Sequence, residues 1–377
     1  MIKVFYWAPF ISKIATPNAV INSALSLKKY SKGKKEPIII NLFNEWSEYS
    51  SELKNYKIQF INLFKFKLNI VLPEKGFLLS RLSFLLISFI SFLPLLKLLK
   101  EKKPNYLVIH LNTALPLILL YLFKFETKFI LRISGKPRLN FLRKFLWKLI
   151  SEKIYKVTAP TKIIADDLIN KKIFSEKKID VLYDPIIKIN NFTKRFKKKL
   201  ENKNKIIAIG RLTAQKNFPF LIDCFSSIEK KYDSYTLHIL GDGEQKSKLV
   251  RLIKSKNLNN KVYLHGYKKN INEYLNNSFC FVLSSLWEDP GFVIIEAAMN
   301  NTVILSTNCD SGPRELLKNK ENSFVFNNNN KESFVRSFEN LVNSDKDFKH
   351  NMKVNMKKNV KKFTLFRHYL KLNKIIL

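Results

Sequence analysis

The sequence predicts an α/β fold of two domains, each built on a doubly wound parallel sheet. Three observations carry that expectation. The chain has 377 residues, 46% of them hydrophobic, which suits two cores of ordinary domain size better than one. Short apolar runs alternate with helical stretches from end to end, the pattern of parallel strands joined by crossover helices. Of only nine glycines, Gly210, Gly241, Gly243, Gly266 and Gly291 fall at or just past the carboxyl ends of second-half apolar runs, the edge at which open parallel sheets bind ligands.

In the first half, strands are expected near residues 3–7, 37–42, 57–61, 106–111, 128–133 and 156–159, with helices between them. A stretch holding Lys194, Arg195, Lys197, Lys198 and Lys199 breaks the apolar rhythm. The division is therefore a first domain over 1–190, a basic linker over 191–203, a second domain over 204–345, and C-terminal helices over 346–377 expected to pack back on the first domain. The second half restarts with strands at 206–209, 236–240, 262–264, 280–283 and 303–306, helices at 219–231 and 244–256, and two polar helical stretches after Lys331.

Lys and Arg number 67 against 30 Asp and Glu, a formal net charge of +37. Such a surface attracts polyanions: nucleic acid, anionic lipid headgroups or phosphorylated substrates. Only ten of the basic residues are Arg, so a solvated lysine face is the plain alternative. Cys224, Cys280 and Cys309 are odd in number and form no C-x-x-C pair, which points to neither a disulfide framework nor a zinc site and fits a reducing cytoplasm. Residues 1–10 read as a first strand rather than a signal peptide. The uncharged stretch 82–96 has 15 residues and contains Pro94, short of the ~20 that cross a bilayer. An interfacial helix around 77–100, flanked by Lys75, Arg81, Lys97 and Lys100, is the other reading of that stretch.

The chemistry concentrates in the second half. In the run 285–299, SLWEDPGFVIIEAAM, a turn leads into a helix starting near Phe292, whose free N–H groups at Gly291, Phe292 and Val293 suit phosphate. Glu288 precedes the turn and Glu296 lies one turn inside the helix among apolar neighbours, where a carboxylate can accept two hydroxyl hydrogen bonds from a ribose. In the run 210–218, GRLTAQKNF, Arg211 and Lys216 place two fixed positive charges where a departing diphosphate gains negative charge, doing the work of a metal ion. The run 240–244, LGDGE, is a third strand-end loop.

Taken in this order, these residues resemble the C-terminal domain of glycosyltransferase family 4, of the bacterial surface-polysaccharide type. The motifs are G-R-L then K-N-F, G-D-G, the His265-Gly266 turn, the E-x7-E pair at Glu288 and Glu296, and D-S-G-P-R-E over 310–315. The resemblance is dense over 205–317. It implies a GT-B fold, two Rossmann-like domains facing a central cleft, and a retaining, metal-independent enzyme with no cofactor. Its substrates would be a nucleotide-sugar donor, UDP-sugar favoured, giving a hexose-type sugar to a lipid-linked or growing polysaccharide acceptor. It also implies site roles: Arg211 and Lys216 on the donor diphosphate, Glu296 on the ribose, Glu288 beside the reacting carbon, and Gly210, Gly241, Gly266, Gly291, Phe292 and Val293 lining the donor site. His110 stands where the family often reaches the donor sugar, and Arg132, Ser134, Gly135 and Thr161 where it lines the acceptor side or hinge. The loop over 9–18 departs from the family in lacking glycine, and Asp345-Lys-Asp347 spells D-x-D with no strand before it.

Two other classes compete with the enzyme. A nucleic-acid-binding protein would interleave aromatic and basic residues on one exposed face, whereas many of the 31 Phe sit in apolar runs, so no nucleic-acid partner is expected. A non-catalytic membrane scaffold would be expected to have lost one of Arg211, Lys216, Glu288 or Glu296, and all four are present. The basic segments 194–199 and 136–148 and the apolar stretch after Phe77 suggest an anionic membrane surface as partner, and a cytoplasmic location, peripheral on the inner face of the membrane.

Overall fold

The computed structural model describes residues 1–11, 16–64, 77–137, 139–188 and 204–377. The expected linker, with its basic cluster at 194–199, lies outside the described residues. Two compact units are present, the first formed by Met1–Lys188 together with Phe363–Leu377 and the second by Ile189–Lys362.

Seven strands make the first unit's sheet: β1 (Ile2–Trp7), β2 (Lys35–Asn41), β3 (Gln59–Asn62), β4 (Tyr106–Ile109), β5 (Lys128–Arg132), β6 (Lys156–Ala159) and β7 (Ile179–Val181). All pairings are parallel, in the order β3-β2-β1-β4-β5-β6-β7. Phe5 stands opposite Ile38 on one side and Leu107 on the other. Successive side chains of β1 enter different cores, as a two-residue period requires. Phe5 and Trp7 join Leu107, Ile109 and Leu131 on one face, while Val4 and Tyr6 join Val108 and Ile130 on the other. Burial on both faces explains why these strands read as continuous apolar runs. The first face is covered by α3 (Phe77–Lys102), α4 (Ala114–Leu122), α5 (Phe141–Leu149) and α6 (Lys162–Asn170), the second by α1 (Thr16–Tyr30) and α2 (Ser50–Asn55).

The second unit repeats the plan with β8 (Lys205–Ile209), β9 (Thr236–Leu240), β10 (Val262–Leu264), β11 (Cys280–Leu283), β13 (Val303–Thr307) and β15 (Phe324–Phe326), ordered β10-β9-β8-β11-β13-β15. Its helices are α7 (Phe218–Ile228), α8 (Lys246–Ser255), α9 (Ile271–Asn276), α10 (Phe292–Met299), α11 (Gly312–Leu316), α12 (Lys331–Asn343) and α13 (Lys346–Asn359). Two short segments, β12 (Trp287–Glu288) and β14 (Asp310–Ser311), pair apart from the main sheet. In both sheets the strand order reverses once, between β1 and β4 and between β8 and β11, and each reversal opens a crevice beyond the strand ends.

Two differences from the sequence reading stand out, both in the C-terminal part of the chain. The polar region after Lys331 forms three helices rather than two, because Asn330, Asp345 and Thr364 each cap a new start: Asn330 Oδ1 accepts from Ser333 N at 2.7 Å, Asp345 Oδ1 from Phe348 N at 2.6 Å and Thr364 Oγ1 from Arg367 N at 3.4 Å. The first Asp of the D-x-D is thus a helix cap. Helix α3, expected around 77–100, covers Phe77–Lys102 and runs through Pro94. The C-terminal helices also divide: α13 packs against α10 and β13 of the second unit, and only the last helix, α14 (Leu365–Ile375), joins the first.

Helix α14 lies on α1 and buries Leu372, Ile375 and Ile376 in the second core of that unit. Phe363 O accepts from Ile186 N at 2.9 Å and Ile187 N at 3.0 Å. His368 is enclosed between Tyr183 O, 2.7 Å from Nδ1, and Ser23 Oγ, 2.8 Å from Nε2. A carbonyl only accepts, so Nδ1 carries the proton and the Ser23 hydroxyl donates to Nε2. Burial holds the His368 pKa down at about 3, keeping the ring neutral. Leu372→Ala should therefore destabilise the first unit by about 2–5 kcal/mol, read as a lowered denaturation midpoint; an unchanged midpoint would mean that α14 adds little to that core.

Candidate functional site

The second unit's site is assembled from loops at the carboxyl ends of its strands. Gly210 N donates to Leu240 O at 3.0 Å, Leu212 N to Asp242 O at 2.9 Å and Gly241 N to Gly266 O at 2.9 Å, so the loops after β8, β9 and β10 are stitched backbone to backbone. The approach is too close for a side chain, since a Cβ on Gly241 would lie 1.8 Å from Gly210 O. At Gly210 the obstacle is Lys216, whose Cε would be 2.8 Å from an added Cβ. The glycine lets the lysine side chain fold back across the strand end.

The loop after β8 is tied to the loop after β11. Leu286 N donates to Gln215 O at 2.8 Å, Gln215 Nε2 to Trp287 O at 2.9 Å and Ser284 Oγ to Lys216 O at 2.8 Å. This lacing brings Lys216 Nζ onto Glu288 Oε1 as a charge-assisted hydrogen bond between side chains only 13% and 8% exposed. Ser285 Oγ donates to the same Glu288 oxygen at 2.6 Å. Ser311, the β14 residue opposite Glu288, and Thr213 in the loop after β8 each keep a buried hydroxyl with no hydrogen-bond partner among the described residues. Sequence reasoning missed Ser285 and Ser311 as site residues, although both lie in quoted runs. A serine three residues before a buried glutamate was the available signal for the first.

Gly291, at φ +82°, is the N-cap of α10, and Phe292 and Val293 are its first two residues. The opening N–H groups of a helix lack intrahelical acceptors and carry its positive end charge. Glu296 follows within the next turn, half-buried between the buried Ile295 and Ala297. Its carboxylate has no hydrogen-bond or ion-pair partner among the described residues, and burial alone raises it to about pKa 7. Arg211 stands exposed in the loop after β8. Within this unit the structure thus joins Lys216 to Glu288 and packs the loops of Gly210, Gly241 and Gly266 together, while Arg211 forms no hydrogen bond or ion pair with either residue.

The candidates in the first unit are mostly enclosed. His110 follows β4, with its backbone N donating to Trp7 O at 2.8 Å. His110 is 7% exposed, its Nε2 is buried without a partner among the described residues, and it lines a small cavity with Ser23, Arg132, Thr158, Asp184 and His368. Burial first, then the charge of Arg132, holds its pKa well below the usual histidine range, so it is neutral. Arg132 is buried and committed: one guanidinium nitrogen donates to Leu182 O and the other to Asp184 Oδ1, both at 2.6 Å. Thr161 caps α6 by accepting from Ile164 N at 3.2 Å. Ser134 is exposed and Gly135 half-buried in the turn after β5. Arg132 and Thr161 therefore hold the fold, and of this group only Ser134 and Gly135 offer surface to a ligand. Among the described residues no cluster of three or more His, Cys, Asp or Glu is placed to hold a metal ion.

Residues 190–363 match the family model Glycosyl transferases group 1. The chain is 37% identical over 241 residues to an uncharacterized glycosyltransferase of Methanocaldococcus jannaschii, covering 58% of this chain and 59% of the relative. It is 26% identical over 253 residues to the N-acetylgalactosamine-N,N'-diacetylbacillosaminyl-diphospho-undecaprenol 4-alpha-N-acetylgalactosaminyltransferase of Campylobacter jejuni, covering 65% and 66%. The chain thus spans between about three fifths and two thirds of the length of these curated relatives. The Anabaena protein HepE, solved in complex with UDP, superposes with a TM-score of 0.74 over 99% of both chains at 14% identity, which establishes the shared fold. The chain accordingly has the GT-B fold, two parallel-sheet α/β units, and carries a glycosyl transferases group 1 domain over residues 190–363.

Proposed function

We propose that this chain is a retaining glycosyltransferase that moves a hexose-type sugar from a UDP-sugar to a lipid-linked or growing polysaccharide acceptor. The reading rests on the buried Lys216–Glu288 pair at the sheet's reversal point, with the half-buried Glu296 eight residues further on, inside a group 1 domain. The UDP complex of HepE and the diphospho-undecaprenol acceptor in the Campylobacter enzyme's name support the choice of substrates.

In this proposal the uridine ribose hydroxyls donate to Glu296, and the diphosphate lies against the N–H groups of Phe292 and Val293 and the cations of Arg211 and Lys216. Glu288 faces the donor sugar. The bond from the anomeric carbon to the phosphate oxygen breaks, and the acceptor hydroxyl oxygen bonds to that carbon from the same face. The hydroxyl proton passes to the departing phosphate oxygen, giving UDP and the retained glycoside. Fixed cations stabilise the charge that develops on the diphosphate, so the reaction is proposed to need neither metal nor cofactor. His110 has its Nε2 enclosed and is given no chemical step. The enzyme is proposed to work in the cytoplasm, on the inner face of the membrane.

The direct test is thermal shift of the full chain with UDP-, GDP- and ADP-sugars in the absence of metal. A shift with the UDP-sugar, lost in both Glu296→Ala and Arg211→Ala, is expected; shifts that survive both changes would remove these residues from the donor site. Turnover of Lys216→Ala or Glu288→Gln should fall about 100- to 1,000-fold, and excess EDTA should leave the wild-type rate unchanged. A pH effect follows from Glu296. Its raised pKa leaves the carboxyl partly protonated near pH 7, and hydroxyl donors favour the ionised form. UDP affinity measured by calorimetry should accordingly strengthen as pH rises through about 7 and lose that dependence in Glu296→Gln; a flat wild-type profile would contradict the ribose assignment.

A further inference from the structure

Of the exposed large apolar side chains among the described residues, twelve of twenty-one lie on α3, α4 and α5 of the first unit. These helices are neighbours, α3 against α4 and α4 against α5, so their outer faces adjoin. On α3, Leu85, Phe89 and Leu93 recur every fourth residue and are 67%, 83% and 69% exposed, a single stripe along the helix. On α5, Phe141 and Leu142 are 81% and 73% exposed, and Trp147 is the one buried residue.

The charge on α5 has one sign, while Glu101, Glu126 and Glu152 lie at or just past the ends of the three helices and pair with Lys97, Lys103 and Lys178. Helix α5 reads FLRKFLWKL, with Arg143, Lys144 and Lys148 and no acidic residue. Lys153 lies over the Tyr121 ring, 5.1 Å from its centroid, and Lys100 over the Phe123 ring at 5.1 Å, so lysines fringe the apolar surface. We infer that α3, α4 and α5 together form a face on which the first unit docks to an anionic lipid surface, its aromatic and leucine side chains entering the headgroup boundary and its lysines meeting lipid phosphates. This deepens the proposal of a membrane-held acceptor and rests on it only for its purpose.

Helix α3 is long and apolar enough to cross a bilayer. Its opposite stripe is pinned, however. Ile87, Leu95 and Leu99 are at most 1% exposed and share a core with Phe5, Trp7, Leu107 and Ile109 of the sheet. Crossing would pull these residues out of that core, whereas lying in the interface leaves it intact. A second copy on the same patch would set Arg143, Lys144 and Lys148 near their own equivalents, a repulsion that anionic lipid turns into attraction.

Flotation of the full chain with phosphatidylglycerol–phosphatidylcholine vesicles, against pure phosphatidylcholine vesicles, tests this. Flotation is expected only with the anionic vesicles, and Phe89→Asp with Phe141→Asp should cut the bound fraction about 10-fold or more. Both positions are over 80% exposed, so the melting temperature should hold. Arg143→Glu with Lys144→Glu should likewise abolish the preference for anionic lipid. The UDP-sugar thermal shift should persist in every variant, so loss of donor binding and loss of docking are read separately. Unchanged flotation of the variants, resistance of the bound wild type to alkaline carbonate, or dimerisation through this face without vesicle binding would each overturn the inference.

Discussion

The second unit is organised around one ion pair, and its loops make sense as the means of burying it. A lysine and a glutamate taken out of water lose hydration that their attraction recovers only when geometry and further hydrogen bonds are good. Here Gly210 clears the path of the Lys216 side chain, Ser285 donates to Glu288, and three hydrogen bonds lace the loop over 211–217 to that over 284–288. Removing either charge would leave the other buried and uncompensated. The pair also sits where β8 and β11 diverge, the part of a doubly wound sheet left open by its own topology.

The first unit has the same sheet order but has filled the matching region with structure. His110, Arg132, Asp184 and His368 lie together beneath its strand ends, and the chain's last helix closes over them through Ser23 and Tyr183. Its strongest exposed feature is instead the apolar face of α3, α4 and α5. One unit therefore offers a polar crevice and the other a broad apolar surface, although the two sheets are built alike.

Much of this was legible in the sequence, for reasons particular residues make plain. Runs such as KIIAI at β8 and CFVL at β11 are apolar throughout because both faces of the sheet are covered, and the glycines mark strand ends where backbones touch. The start of α10 near Phe292 and the placement of Glu288 before it were also readable. What was not readable depends on partners distant in sequence. Arg132 at a strand end looks like a ligand group until Asp184, 52 residues on, is seen to hold it. Thr161 looks like a loop residue until Ile164 N makes it a cap. The edge strands β7 and β15, each of three residues, are too short to show a period. Helix α3 was readable close to its full length, around 77–100 against Phe77–Lys102, because its apolar run carries on through Pro94 to the buried Leu95 and Leu99.

The central claim is that Lys216 and Glu288 act as one unit in sugar transfer. The most direct measurement is the transfer rate from UDP-hexose for the wild type, Lys216→Met, Glu288→Gln and the double variant. The account predicts strong non-additivity, with the double variant losing little more than either single one, because each change already breaks the same pair. Losses that simply multiply would show that the two residues act independently and would contradict the account.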